Sequence, residues 1–453
     1  MKAAADDLIQ AGIASPSDKQ QIKTTHFYVH FEVNTEEELE ALVEQDTTLD
    51  FYPYPLDHEL GEIDTAFSDT LIRHWYVTVP ANYSYPANIT YNVLESLYLP
   101  TDETDSEDGN FSDRLIRKSL ERTGNVDPVQ EKKKSWRPAG TILVDDDDNM
   151  KPAIGVEGVE VKARRWHTTH RGKTNKQGRF VCDGTFKREA NYSFEWERYQ
   201  FKIRGRDIDI TGVKKKGDWN VRIRRNTFER SAALVFMAAH RYYYRPLPGL
   251  QRPPTNSFFK PQMKIKIYDE VGISDHSAPR RFLGWGNWIK INTKSKGPFG
   301  TRQTGQRLLY NTALHELAHA SHWNIHDGSF SNIDGNLKES WAIGVAEELS
   351  KYLFNNFILF GDFTFQKMKD ADSETMNQYT SLFVDLADNF NQGVTGTSKP
   401  FDVVSGYSLL RIEPFLDDCE NFSCVQQVLI DQYNLPSEGD LPFLFQQHTN
   451  LSR

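Results

Sequence analysis

Two histidines four residues apart, His315 and His319, enclose a glutamate in "HELAH". On an α-helix this spacing puts both imidazoles on one face, one turn apart, where they can share a metal ion. Glu316 is turned about 100° around the axis from His315. It is therefore placed to meet a metal-bound water as a general base, and not to ligate the metal itself. Catalytic zinc needs a third protein ligand and an open fourth position for water. Three residues downstream offer the right atoms. They are His326, on the helical face of His319 and His322; Asp327, in "HDGSF"; and Glu339, in "LKESWAIGVAEELSKYL".

These side chains need two helices to hold them. Leu308, Leu309, Ala313, Leu314, Leu317 and Ala318 give residues 305–323 apolar faces at helical spacing. A second helix begins near Asn336, with Ala342, Val345, Ala346 and Leu349 facing inward. The link "NIHDGSFSNIDGN" can reverse the chain through Gly328 and Gly335. An antiparallel return brings Glu339 alongside His315 and His319. Glu347 and Glu348 then lie about 12 Å further along the axis and miss the metal.

This arrangement resembles the gluzincins, the thermolysin-like zinc metallopeptidases. Their His-Glu-x-x-His helix is followed, after a gap like this one, by a glutamate on an antiparallel helix. The metzincin pattern fails, because His322 and Ile325 stand where it requires Gly and His. The gluzincin resemblance implies Zn2+ as cofactor, His315, His319 and Glu339 as its ligands, and Glu316 as the general base of peptide hydrolysis. Some members orient a histidine with an Asp four residues after the ligand Glu. Here that position is Ile343, which leaves Asp334 and Glu347 as candidates. The resemblance also implies an edge strand for the substrate backbone, expected in "FLGWGNWIKIN" (Phe282 to Asn292). It implies as well an oxyanion donor downstream: Tyr407 in "VSGYSLLRIEP", or His326.

The rest of the chain divides by texture into a multidomain protein. Residues 1–24 read as a polar tail. Residues 25–135 read as a small α+β domain, opening on the alternating strand "THFYVHFEV", with no catalytic constellation visible in it. Residues 136–225 read as an all-β sandwich. Residues 226–453 read as a mainly α domain with a small sheet, of zincin type by the resemblance above. Within the sandwich, "GVEGVEVKA" and the turn carried by Thr174, Gly178 and Phe180 resemble the prealbumin-like, carboxypeptidase-regulatory-like domains. That implies a scaffold without chemistry. Asp145 to Asp148 lack the spacing of a calcium loop and read as a solvated acidic turn. The N-terminal run also resembles segments of secreted Bacteroidetes lipoproteins, which implies an extracytoplasmic place and leaves room for a lipid anchor on a precursor.

The 453-residue chain carries a net charge of −10, which argues against a nucleic-acid partner. No apolar run is long enough to span a bilayer. Of the three cysteines, Cys419 and Cys424 are close enough for a short loop to bridge, and Cys182 reads as a buried thiol. The expected partner is a protein or glycoprotein substrate. The competing expectation is a non-catalytic cell-surface protein that binds protein or glycan, with a structural or vestigial metal.

Overall fold

The computed structural model describes residues 1–35, 38, 41–42, 45–46, 49, 51, 73–98, 111–122, 135–148, 150–165, 168–186, 188–212, 214–256, 262–272, 274–277, 288–297, 300–326, 330–354, 380–389 and 402–449. Both helices and several β-sheets are present.

At the N-terminal end, β1 (His26–Val33) lies between β2 (Arg73–Pro80) and β3 (Thr90–Leu97), antiparallel to both. Alternation puts Val29, Phe31, Val33, Val77 and Val79 on one face, where they form a small core with Leu42 and Phe51. The opening residues are not a tail. They form α1 (Lys2–Gln10) and α2 (Pro16–Gln20). Ala4, Ala5 and Leu8 recur on one helical face and bury themselves with Ile22 and Leu115 of α3 (Phe111–Arg122). A stripe this narrow is lost in a segment that is polar overall.

The middle of the chain forms two four-stranded sheets. One has the order β12 (Ile210–Thr211), β9 (Asn191–Phe194), β6 (Glu160–Arg165), β7 (Thr168–Lys173). The other has β13 (Trp219–Ile223), β4 (Ala139–Val144) and β5 (Ile154–Gly155), with β8 (Arg179–Val181) also paired to β4. The turn before β8 explains its own sequence. Gly178 has φ +72, and a Cβ there would meet the Ile142 carbonyl oxygen at 2.2 Å. Thr174 Oγ1 accepts from Val159 N at 2.8 Å, and Phe180 is buried.

The boundary expected at residues 225–226 does not separate two cores. β10 (Glu197–Arg198) and β11 (Phe201–Arg204) come from the sandwich segment, yet they extend the sheet of the C-terminal part. There β11 runs parallel to β14 (Met263–Val271), which pairs with β16 (Trp288–Gly297); β15 (Asp275–Ser277) ends the order and β17 (Gly300–Gln303) also joins β16. One continuous apolar core runs from Ile142 to Phe445. Parallel pairing between strands so far apart leaves no local pattern in the sequence.

The strand expected at the sheet edge is therefore interior over its described part. β14 lies on one side of β16, and β15 and β17 lie on the other. The residues of that expectation before Trp288, Gly284 and Gly286 among them, lie outside the described residues.

Helix α4 (Phe228–Tyr244) is buried from Arg230 to Tyr243, and Thr227 caps it by accepting from Arg230 N at 3.2 Å. It packs beside α5 (Gln306–His326), which packs in turn on α6 (Gly335–Ser350). α7 (Leu382–Ala387), α8 (Leu409–Ile412), α9 (Phe422–Gln432) and α10 (Leu441–Thr449) close the C-terminal side. Cys419 and Cys424 form a disulfide, and Cys182 is a buried thiol.

Candidate metal centre

α5 carries the two histidines, and its start is fixed by the acidic turn of the sandwich segment. Asp147 Oδ2 accepts from Gln306 N, the first residue of α5, at 2.7 Å. Its other oxygen takes the Arg230 guanidinium of α4, which also donates to Gln306 Oε1 at 3.2 Å. Asp145 is buried and accepts from Arg222 at 2.6 Å. The acidic turn is solvated at Asp147 and Asp148, as expected, but Asp145 is buried and Asp147 also clasps the starts of α4 and α5. A carboxylate at a helix N-terminus both satisfies orphan N–H groups and complements the dipole. Sequence reasoning misses Asp147, because its only signal is an aspartate run far from the helix it caps.

α6 begins at an aspartate as well. Asp334 Oδ1 accepts from Asn336 N at 2.7 Å, and Asp334 N donates to the Glu420 carbonyl at 2.8 Å. Asp334 is thus a cap and not a partner for a ligating histidine. Glu339 is the fifth residue of α6 and faces α5.

The structure brings His315, His319 and Glu339 into a group close enough to bind a metal ion. Glu339 Oε2 lies 3.1 Å from His315 Nε2 and 3.2 Å from His319 Nε2, and the two Nε2 atoms are 3.1 Å apart. The three donors form a nearly equilateral triangle. This spacing fits three donors that would each reach one ion at about 2.0–2.1 Å. Two imidazoles and one carboxylate are also the right donor types for zinc. Both histidines are buried, while 20% of the Glu339 side chain remains exposed.

Electrostatics act differently on the three donors. Burial would raise the Glu339 carboxyl, but its hydrogen bonds to His315 and His319 outweigh that and keep it well below the usual carboxylate range. Burial lowers His315, helped by the charge of His319, which favours the neutral imidazole that a metal requires. Burial acts the same way on His319. There the hydrogen bond and charge of Glu339, with the charge of Glu316, win and raise it.

The other expected residues fall elsewhere. Glu316 is buried on α5 beside the group. His326 is not the third ligand, since its Nε2 lies 3.1 Å from His322 Nε2 in a second buried histidine pair. Asp327 lies outside the described residues. Glu347 is buried further along α6, and burial pushes its carboxyl up to about 7. No hydrogen bond or ring contact links Tyr407 to the group among the described residues. It is fully buried, with its ring edge-on to Tyr433 at 6.1 Å and its N–H bonded to the Leu386 carbonyl. No family model matches this chain, and neither a curated protein nor a solved structure matches it.

Proposed function

We propose that this chain is a zinc-dependent peptidase of gluzincin type, acting outside the cytoplasm on protein or glycoprotein substrates. The observation that carries the reading is the triangle of His315, His319 and Glu339, with Glu316 one residue from the first ligand on the same helix. When bound, zinc would supply Lewis acidity and a water whose pKa falls to around 7. Glu316 would serve as the general base for the attacking water and would return the proton to the leaving amine. The buried imidazoles and the surrounding core exclude bulk water, which strengthens every charge interaction in the site. The exposed flank of Glu339 is the side from which substrate arrives. Among the described residues β15 is the outermost strand at this end of the sheet, and it lies against α5. It is the edge to which a substrate backbone adds.

The Cys419–Cys424 disulfide supports an oxidising compartment. Among the described residues no helix is long and apolar enough to cross a membrane. The test is metal analysis of the purified full chain combined with digestion of a peptide library. Cleavage that disappears in Glu316→Gln while zinc is retained supports the reading. A library left intact by zinc-loaded protein, or cut equally by Glu316→Gln, overturns it and favours the non-catalytic surface protein.

A further inference from the structure

A second set of metal-type donors lies in the N-terminal sheet, far from α5 in sequence and apart from its core. His30 and Glu32 are two residues apart on β1, so both point to the same face of the sheet. The register sets His74 of β2 directly opposite Glu32. This face is opposite to the one that carries Val29, Phe31 and Val33 into the small core. His30 Nε2 lies 2.8 Å from His74 Nδ1, and the donor atoms of His30, Glu32 and His74 all fall within 4.8 Å of one another. All three side chains are half-buried.

The surroundings restrict these side chains. The Tyr76 ring stacks on His30 at 4.8 Å, and Tyr28 stacks on Tyr76 at 6.2 Å, so an aromatic row walls one side. Among the described residues the Glu32 carboxylate makes no hydrogen bond and no ion pair, although two imidazole nitrogens lie within 4.8 Å of it. Two ligands on one ion, each about 2.0–2.1 Å from it, stand at most about 4.1 Å apart, so the carboxylate reaches a shared ion by a small side-chain rotation. Two imidazoles on a tetrahedral ion at about 2.0–2.1 Å stand roughly 3.3 Å apart. The two rings need open only slightly from their present contact.

We infer that His30, Glu32 and His74 form a second divalent-cation site, which clips β1 to β2. Two imidazoles and one carboxylate select a borderline first-row ion such as zinc over calcium or magnesium, which prefer all-oxygen shells. The clip has a mechanical meaning. β1 and β2 are neighbours in the sheet, yet residues 34–72 connect them, so an ion bridging the strands closes a long loop in the folded state only. Phe31 and Trp75 follow His30 and His74, where Glu316 follows His315, so the role inferred for this cluster is to hold strands.

The experiment counts ions on the full chain. Metal-stripped protein is titrated with Zn2+, and with Co2+ to read the ligand field, for the wild type, His315→Ala, His30→Ala and Glu32→Gln. Glu32→Gln keeps the size of an exposed-face side chain and changes only the donor, so it reports even where His30→Ala disturbs the sheet. The expected result is one ion fewer per chain in His315→Ala and, independently, one fewer in His30→Ala. Glu32→Gln should weaken the second site by more than the roughly 10–100-fold that follows loss of an outer-shell partner. Zinc should also slow hydrogen exchange of β1 and β2 amides in His315→Ala and not in Glu32→Gln. Binding curves of His30→Ala and Glu32→Gln that match the wild type would overturn the inference. An ion retained in His315→Ala and lost in His30→Ala supports this site even if the α5 site proves empty.

Discussion

The two histidine–carboxylate clusters use the same donors in opposite settings. On α5 the histidines are four apart, because a helix repeats its face every turn; on β1 the donors are two apart, because a strand repeats its face every second residue. The α5 cluster is buried in the large core, and its carboxylate is hydrogen-bonded to both imidazoles. The β1 cluster is half-exposed on a separate small core, and its carboxylate touches neither imidazole within hydrogen-bond distance. Burial is what would suit the first to the chemistry proposed for it. It keeps water out, fixes the donors and puts a spare carboxylate, Glu316, beside them. The same ligand set without those features is a staple.

Metal binding should break this comparison most sharply. His315→Ala or His319→Ala removes one of three donors from a buried site, and turnover should vanish with the ion. Atomic absorption on the variants and a peptide-cleavage assay read both effects. Unchanged metal content in both variants would remove the α5 site. The matching change on the sheet, His74→Ala, should leave cleavage at the wild-type rate.

Glu316→Gln comes next. It should leave zinc and fold intact and lower kcat by roughly 10²–10⁴-fold, the range of general-base catalysis. The parallel change Glu32→Gln should leave kcat unchanged. Equal losses from both would mean that the clusters do not differ in role.

How much of this is open to sequence reading follows from the range of each interaction. "HELAH" is legible because a helix writes its geometry into four consecutive residues. Glu339 is within reach because α6 carries an apolar run at helical spacing and the link before it is short. His74 is not, because its partnership with His30 and Glu32 depends on a strand register that no local pattern encodes. Asp147 and the β11–β14 pairing are hidden for the same reason. The N-terminal helix is hidden for another: three apolar residues, Ala4, Ala5 and Leu8, are too few to lift a polar segment.

A smaller effect concerns the cost of the buried setting. Glu347 sits on α6 with one carboxylate oxygen lacking any hydrogen-bond partner among the described residues. Burial is the main reason that its pKa rises from 4.5 to about 7, with Glu348 and Asp388 adding to the rise against Lys351. Between these values the folded protein holds a proton that the unfolded chain has lost. Stability therefore falls as pH rises from about 4.5 toward 7, by at most about 1.4 kcal/mol for each pH step of one. Glu347→Gln stays neutral throughout. The melting temperature of Glu347→Gln relative to wild type should climb between pH 5 and pH 8. A difference that stays flat across this range would show that the carboxyl is solvated in the folded state.

The smallest expected effect is at Tyr407, which the gluzincin resemblance puts forward as oxyanion donor. An oxyanion donor must stand within hydrogen-bond reach of the reacting oxygen, beside the metal ligands. Tyr407 instead packs in the core against Tyr433, where burial, and then the charge of Glu438, raises its phenol above the ordinary value. Its hydroxyl is buried and has no hydrogen-bond partner among the described residues. Removing a buried hydroxyl that bonds nothing breaks no interaction and relieves a desolvated dipole, so its loss should be neutral or slightly stabilising. Tyr407→Phe should keep kcat within about twofold of wild type, since it removes no contact to the transition state. The melting temperature should stay level or rise. A fall in kcat of the roughly 10²–10³-fold typical of a lost oxyanion donor, with zinc and fold retained, would bring Tyr407 into the site. It would also mean that the segment carrying it moves toward α5 during turnover, and that the contrast between a finished helical site and a bare staple on the sheet is incomplete in the resting structure.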